Sequence, residues 1–201
     1  MEGTAAMSVL EFIERVDQDA TLAINGLNSP VTDFIWQVFS NREIWIVMYL
    51  IVIVMLFVRL GWKKALTVVL YTILLITTLD QTANLVKMSV ARLRPCWDEY
   101  MLDNGLHCLE GRGGFYGFFS GHASLSMAFA VMTYQCFRLD KSHSYRAYGA
   151  WIFLWAFLVG VSRIFVSKHY LGDVLVGMLV GMLFALLFAW GCRLMIRKLD
   201  L

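Results

Sequence analysis

Apolar residues gather along this chain in five long runs, 44–58, 65–86, 123–137, 147–162 and 174–192, each bounded by charged or turn-forming residues. At roughly 15 to 22 residues apiece, every run reaches the ~20 needed to cross a hydrocarbon core once flanking polar side chains snorkel to the interface. Ahead of them the pattern changes. Ser8 and Glu11 have the form of a capping box, and Leu10, Ile13, Val16, Ala20, Ile24 and Leu27 follow at helical spacing, with Glu14, Arg15, Asp17 and Asp19 on the opposite face. A helix so charged does not span. It is expected to lie at the membrane surface or to pack against the spans. Ser29 and Pro30 have the form of an N-cap and a first helical residue, starting a short helix that ends near Ser40. The beginning of the chain lacks the basic residues and small-residue cleavage site of a secretory signal, so nothing suggests its removal.

Composition strengthens this picture. With 59% hydrophobic and only 16% charged residues, the chain is far from a soluble norm. No repeat, low-complexity tract or linker divides it. The expectation is an all-α, polytopic membrane helix bundle of one domain, 1–201, with interfacial helices in 1–40 and a transmembrane core in 41–201. Charge then orients the bundle. Arg59, Lys63, Lys64, Arg138, Lys141, Arg146, Arg193, Arg197 and Lys198 fall in alternate connections, which marks those connections as cytoplasmic. The opposite end is acid-rich, with Glu11, Glu14, Asp17, Asp19, Asp98, Glu99, Asp103 and Glu110.

Cys96 and Cys108 share the outer loop, where oxidation is allowed, whereas Cys136 and Cys192 sit near inner ends. The outer pair is either a bridge or two unrelated thiols, since spacing does not establish geometry. Gly111, Gly113, Gly114 and Gly117 in the 97–118 loop have neither the spacing nor the preceding strand of a nucleotide-binding fingerprint. That loop reads as a surface connection, with gating or substrate contact as the sharper alternative. A net charge of +2, explained largely by topology, argues against nucleic acid as a partner, and zinc-ligand spacings and a Walker-type loop are missing.

Candidate chemistry gathers at the outer ends of the runs. Lys87 and Arg94, seven apart, would stand about two helical turns apart on nearly one face. Ser120, Gly121 and His122 open the third apolar run, and Ser162, Arg163, His169 and Asp173 lie between the fourth and the fifth. Taken singly, each has an ordinary explanation: a basic residue at a span end anchors at the interface, a serine caps, a histidine finds a hydrogen bond. Together they supply cations, donors and proton-handling groups at one end of the bundle, which suits phosphoryl transfer without a metal. Arg92 and Lys168 fall outside this set and read as surface anchors. Asp80 and Asn84, on the Lys87 side of the same span, read as supports for the site or as interior packing.

The order Lys87-x6-Arg94-Pro95, Ser120-Gly121-His122 and Ser162-Arg163-x5-His169-x3-Asp173 resembles the three-part motif of the type 2 phosphatidic acid phosphatases, a superfamily that includes the vanadium haloperoxidases. The surrounding spans resemble its bacterial membrane branch. Phe119 departs from the pattern, standing where the family usually has proline before Ser-Gly-His. The resemblance implies His169 as nucleophile, Asp173 four residues on as its orienting carboxylate, and His122 as general acid and then base. It implies Lys87, Arg94, Arg163, Ser120 and Gly121 as the phosphate-binding set, with no metal and no cofactor. It implies a lipid phosphate substrate at the outer face of the inner membrane, undecaprenyl pyrophosphate first. Lipid A phosphate, phosphatidylglycerol phosphate, phosphatidic acid and transfer to a second lipid are the alternatives. The bilayer is the expected surrounding, and no obligatory protein partner is inferred.

Overall fold

In the computed structural model, which describes residues 8–200, the chain is helical from end to end apart from one long connection. The first seven residues, on which the reading of a retained start rests, lie outside the described residues. Helices α1 (Val9–Asn25) and α2 (Pro30–Ser40) precede α3 (Ile46–Leu60), α4 (Trp62–Val90), a short α5 (Glu99–Asp103), α6 (Gly121–Phe137), α7 (Arg146–Phe165) and α8 (Leu171–Lys198). The starts follow the sequence signals. Ser8 and Glu11 close a capping box on α1, Ser29 caps α2 with Pro30 in its first turn, and Ser120 accepts from Ala123 N–H at the head of α6.

Among the described residues, four segments are long and apolar enough to cross a membrane: Glu43–Leu60, Trp62–Val90, Arg146–Phe165 and Leu171–Lys198. The remaining expected span, α6, has 17 residues, or about 25 Å, at the short end of what a bilayer needs. It is also the central helix, packed against α3, α4, α7 and α8, and most of its length is buried. Lipid meets the outer helices instead. Ile46, Val47, Leu50, Ile51, Val54 and Val58 of α3 all face outward, an arrangement only a hydrocarbon solvent makes favourable. The α3–α4 and α6–α7 connections share the end opposite the site, where Arg59 and His143 meet at 2.9 Å.

Small residues set how closely α8 approaches α6. A methyl group added at Gly177 would sit 2.6 Å from the Ser120 carbonyl oxygen, and one at Gly181 would sit 2.1 Å from that of Ser124. Ala185, Ala189 and Cys192 extend the same buried stripe. Gly181→Ala therefore has to push two backbones apart, and overpacking of this kind costs about 1–3 kcal/mol. A lowered thermal midpoint in detergent is the expected result, and an unchanged one would show that the two helices part freely.

α1 packs against α7 and α8, but the other way round from an ordinary amphipathic helix. Val9, Leu10, Phe12, Ile13 and Val16 are exposed, whereas Gln18, Thr21 and Asn25 are buried. The polar edge faces protein because the groups it meets are themselves unsatisfied. Asn25 Nδ2 donates to the last carbonyl of α7, Phe165, at 3.0 Å, and Thr21 Oγ1 and Asp17 Oδ1 accept from the first two N–H groups of α8, at 2.9 and 2.7 Å.

Candidate active site

The site forms where α4 ends, α6 and α8 begin, and the α7–α8 turn crosses between them. Lys87 lies in the last turn of α4, which closes at Ala91 in the left-handed region with φ 52°. Arg94 therefore does not share a helical face with Lys87, contrary to the spacing argument. The residue before proline disfavours helix, so with Pro95 next Arg94 is extended. Its N–H donates to Phe115 O at 2.8 Å and its Nε to Tyr116 O at 3.1 Å, which lays the end of the long loop alongside it. The Cys96–Cys108 bridge is present, with Cα atoms 6.0 Å apart. Closing about a dozen residues contributes on the order of 3 kcal/mol by chain entropy.

Gly121 opens α6 beneath the Lys87 ammonium, which lies 3.5 Å from where a Cβ would be. The first-turn N–H groups and the positive end of the helix dipole add to that cation. Arg163, in the last turn of α7, is only 5% exposed. One arm of its guanidinium bonds Ser40 Oγ and lies 3.9 Å from Glu110 Oε2, while its buried Nε has no partner among the described residues. Lys87 stands within electrostatic reach of Arg94 and Arg42, and Arg163 within reach of the same two arginines. Four cations around one space repel one another, and an anion placed among them relieves that cost.

His169 is not on a helix. It precedes Tyr170, the N-cap of α8, and Asp173 occupies the third helical position. Their meeting is therefore a product of cap geometry, not of a shared helix face. Asp173 Oδ2 accepts from Tyr170 N–H at 3.2 Å and lies 3.3 Å from His169 Nδ1, which leaves Nε2 as the free ring nitrogen. Complete burial pushes the His169 pKa down to about 4, against the upward pull of the Asp173 carboxylate. Gly117 closes this side. A Cβ there would stand 3.0 Å from Asp173 Oδ2 and 3.4 Å from His169 Nδ1, so backbone alone fits. The 97–118 loop is thus a wall of the site.

Several residues that the sequence placed elsewhere belong here. Arg92 bridges Asp17 and Asp173, at 2.8 Å to each, and Lys168 is buried and donates to the Glu110 and Gly111 carbonyls. Both were expected at the surface. In an extended segment residues two apart point the same way, so Arg94 could have drawn attention to Arg92. Arg42, between α2 and α3, donates from Nε to His122 Nε2 at 3.0 Å, and the sequence held no signal for it. Asn84 is exposed and donates to the half-buried Asp80 at 3.3 Å, and Asp80 stands within electrostatic reach of Lys87. Among the described residues no three His, Cys, Asp or Glu side chains are grouped so as to hold a metal ion.

Two cavities meet at His122 and Arg42. One, of about 400 Å³, runs down between α3, α4, α6 and α7 past Tyr49, Ile73, Leu125, Phe129 and Trp155, and is almost wholly apolar. The other, of about 580 Å³, is polar, with Gln37, Asn41, Glu43 and Glu110 around Arg163.

Comparison with known proteins bears on the family and the fold. The PAP2 superfamily profile matches residues 64–194. The lipid A 4'-phosphatase of Bacteroides thetaiotaomicron is 33% identical over 171 residues, covering 84% of this chain and 73% of that protein. That of Porphyromonas gingivalis is 29% identical over 170 residues, covering 84% and 70%. Among solved structures, the transmembrane PAP2 type phosphatidylglycerolphosphate phosphatase of Bacillus subtilis superposes with a TM-score of 0.65 at 18% identity, over 88% of this chain and 84% of that one. Aquifex aeolicus LpxE superposes with a TM-score of 0.60 at 21% identity, over 85% and 92%. A matched profile spanning most of the bundle, together with a relative one-third identical over most of its length, means that this chain is a membrane phosphatase belonging to the PAP2 superfamily.

Proposed function

We propose that the protein removes a phosphate monoester from the sugar headgroup of lipid A, at the outer face of the inner membrane, through a phosphohistidine. The observation that carries this reading is the position of His122 where the apolar cavity and the polar cleft meet. A group that protonates the departing oxygen stands beside the leaving alcohol. Here that alcohol would have a hydroxyl- and amide-rich part for Gln37, Asn41 and Glu43, and an acyl part for the apolar cavity. Undecaprenyl pyrophosphate, ranked first on sequence alone, offers a polyprenyl phosphate there and no sugar. The two lipid A 4'-phosphatase relatives support the same ordering.

In this mechanism Lys87, Arg94 and Arg163 hold the equatorial oxygens, with the Ser120 hydroxyl and the Gly121 N–H at the head of α6. His169 Nε2 attacks phosphorus, its Nδ1–H held by Asp173, and the phosphorus–oxygen bond breaks as His122 gives its proton to the leaving alkoxide. His122, now neutral, takes a proton from the water that opens the phosphohistidine. The Arg42 guanidinium faces both ring nitrogens of His122, at 3.0 Å from Nε2 and 3.3 Å from Nδ1, so it must draw away before the ring can carry this proton. A bound phosphate attracts Arg42 to itself and frees His122.

Phosphate release from pure lipid A, undecaprenyl pyrophosphate, phosphatidylglycerol phosphate and phosphatidic acid tests the substrate, with and without chelator and with mass spectrometry to locate the lost group. Lipid A is expected to be cleaved fastest, at one sugar position, and a faster undecaprenyl pyrophosphate reaction would reverse the order. Orientation rests on the basic α3–α4 and α6–α7 connections and on the oxidised outer loop. An impermeant thiol reagent on intact cells should label a cysteine introduced near Asn104 and not one near Ser142. The reverse pattern would turn the site inward.

Neutral His169 is a second checkable property. Its ring ¹⁵N shifts should remain those of an uncharged imidazole from pH 8 down to about pH 5, because its pKa is pushed down to about 4. Below that value the ring protonates and the nucleophile is lost. A ring already charged at pH 6 would contradict the role.

A further inference from the structure

We infer that Asp17 and Arg92 form a charged strut that positions the Asp173–His169 pair, which makes α1 a working part of the site; this rests on the reading of His169 as nucleophile. Arg92 fills an unspecified position of the first motif segment, and Asp17 lies outside the stretch matched by the family profile.

Asp173 is fully buried and divides its two oxygens. Oδ2 serves Tyr170 N–H and His169 Nδ1, at 3.2 and 3.3 Å, whereas Oδ1 is held by Arg92 Nη1 at 2.8 Å. The shortest contact on this carboxylate is thus the arginine, and the contact to the histidine is loose. Which way the carboxylate faces His169 is therefore set by Arg92. Arg92 is itself held from two further directions. Its Nη2 lies 2.8 Å from Asp17 Oδ2, and its guanidinium lies 4.0 Å above the Tyr170 ring, whose hydroxyl donates to Asp98 at 2.6 Å. Asp17 in turn accepts from Gly172 N–H at 2.7 Å, one residue before Asp173. The carboxylate of Asp17 fills the space where a side chain at 172 would be, 2.7 Å from a Cβ there.

Charge as well as position passes along this strut. The charged and titratable groups around His169 are Asp173 on α8, Arg163 on α7, His122 on α6, Lys87 on α4 and Arg94 in the segment after it, with Arg92 one step behind Asp173. Removing Arg92 leaves Asp173 less neutralised and raises the proton affinity of His169. Removing the Asp17 charge leaves Arg92 less neutralised and lowers it.

The test uses full-length protein in detergent and an aryl phosphate, following the phenol burst that reports phosphoenzyme formation. Arg92→Gln should slow the burst about 10²-fold, as a misplaced reacting group does, with little change in KM, and Arg92→Lys should recover part of the loss. The acid limb of the burst rate should move to higher pH in Arg92→Gln and to lower pH in Asp17→Asn. Substrate ionisation is common to all variants and cancels in that comparison. Gly172→Ala, which displaces Asp17 without touching His169 or substrate, should slow the burst in the same manner. It carries the test with Asp17→Asn if Arg92→Gln melts early. Burst rates near wild type in these variants, or acid limbs that move the same way or not at all, would reduce the strut to a tether. His169→Ala is run alongside: a surviving burst there removes the nucleophile reading and this inference with it, whereas a dead His169→Ala beside normal strut variants removes only the inference.

Discussion

His169→Ala is expected to show neither a phenol burst from an aryl phosphate nor a trapped phosphoenzyme, whereas His122→Ala should keep the burst and accumulate the intermediate. The difference follows from what each ring must do. The His169 ring has its Nδ1 against Asp173 and its other nitrogen free, so its loss removes the bond-forming atom whatever the leaving group. His122 supplies a proton, and the value of that proton depends on the departing oxygen. A sugar or lipid alkoxide is a poor leaving group, so His122→Ala should lose about 10²- to 10⁴-fold or more on a lipid monoester. An acidic phenol leaves without help, and the penalty on bond breaking should shrink. Hydrolysis of the phosphohistidine still needs His122 as base, which is why the intermediate builds up. A phosphoryl group mapped to His122, or a burst surviving in His169→Ala, would exchange the two roles.

Asp173→Asn should be nearly as damaging, although it leaves both histidines in place. An aspartate offers only acceptors to Tyr170 N–H, His169 and Arg92. An asparagine must turn its amide nitrogen toward one of them. If its oxygen stays with Arg92, the amide nitrogen takes the place of Oδ2, and its N–H faces His169 Nδ1, makes that atom the acceptor and leaves the proton on Nε2, the nitrogen that has to attack. Exchanging an orienting carboxylate for its amide costs roughly 10⁴-fold when the ring is held in the wrong tautomer. Phosphoenzyme formation should fall by about that factor while inhibition by inorganic phosphate changes little, since the cations that bind it remain. A loss smaller than about tenfold would mean that the ring is oriented by its enclosure alone.

Much of this site is written in local spacing, and that part was readable. The bundle itself follows from the length of the apolar runs, and the end at which Lys87, His122, Arg163 and His169 gather follows from where those runs stop. The local conformations were less legible. Lys87 and Arg94 looked like neighbours on a helix because seven residues make two turns, but the left-handed Ala91 and the demand of Pro95 for an extended predecessor end that helix between them. His169 and Asp173 looked like an i, i+4 pair and prove to be a residue before a cap and a residue inside it.

Contacts made over long sequence distances were not readable at all. Arg42 reaches His122 across 80 residues, and Asn25 reaches Phe165 across 140. Asp17, Gln18, Thr21 and Asn25 gave no hint that they would form the inward edge of α1, because a single helix does not reveal which of its faces has a partner. Arg92 reads as a surface anchor because it matches no specified motif position, and its partners, Asp17 and Asp173, are both far from it in sequence.

The inward polar edge of α1 also sets an order in time. Thr21 and Asp17 bond N–H groups that lie 150 and 155 residues further along the chain. At roughly 5–20 residues per second, the ribosome needs on the order of 10 to 30 s to produce those partners after α1 has emerged. Throughout that interval α1 has its apolar side in lipid and its polar side unmatched. This part of α1 is therefore completed only when the head of α8 is made, and a nascent chain halted before α8 lacks Asp173, the carboxylate that faces His169.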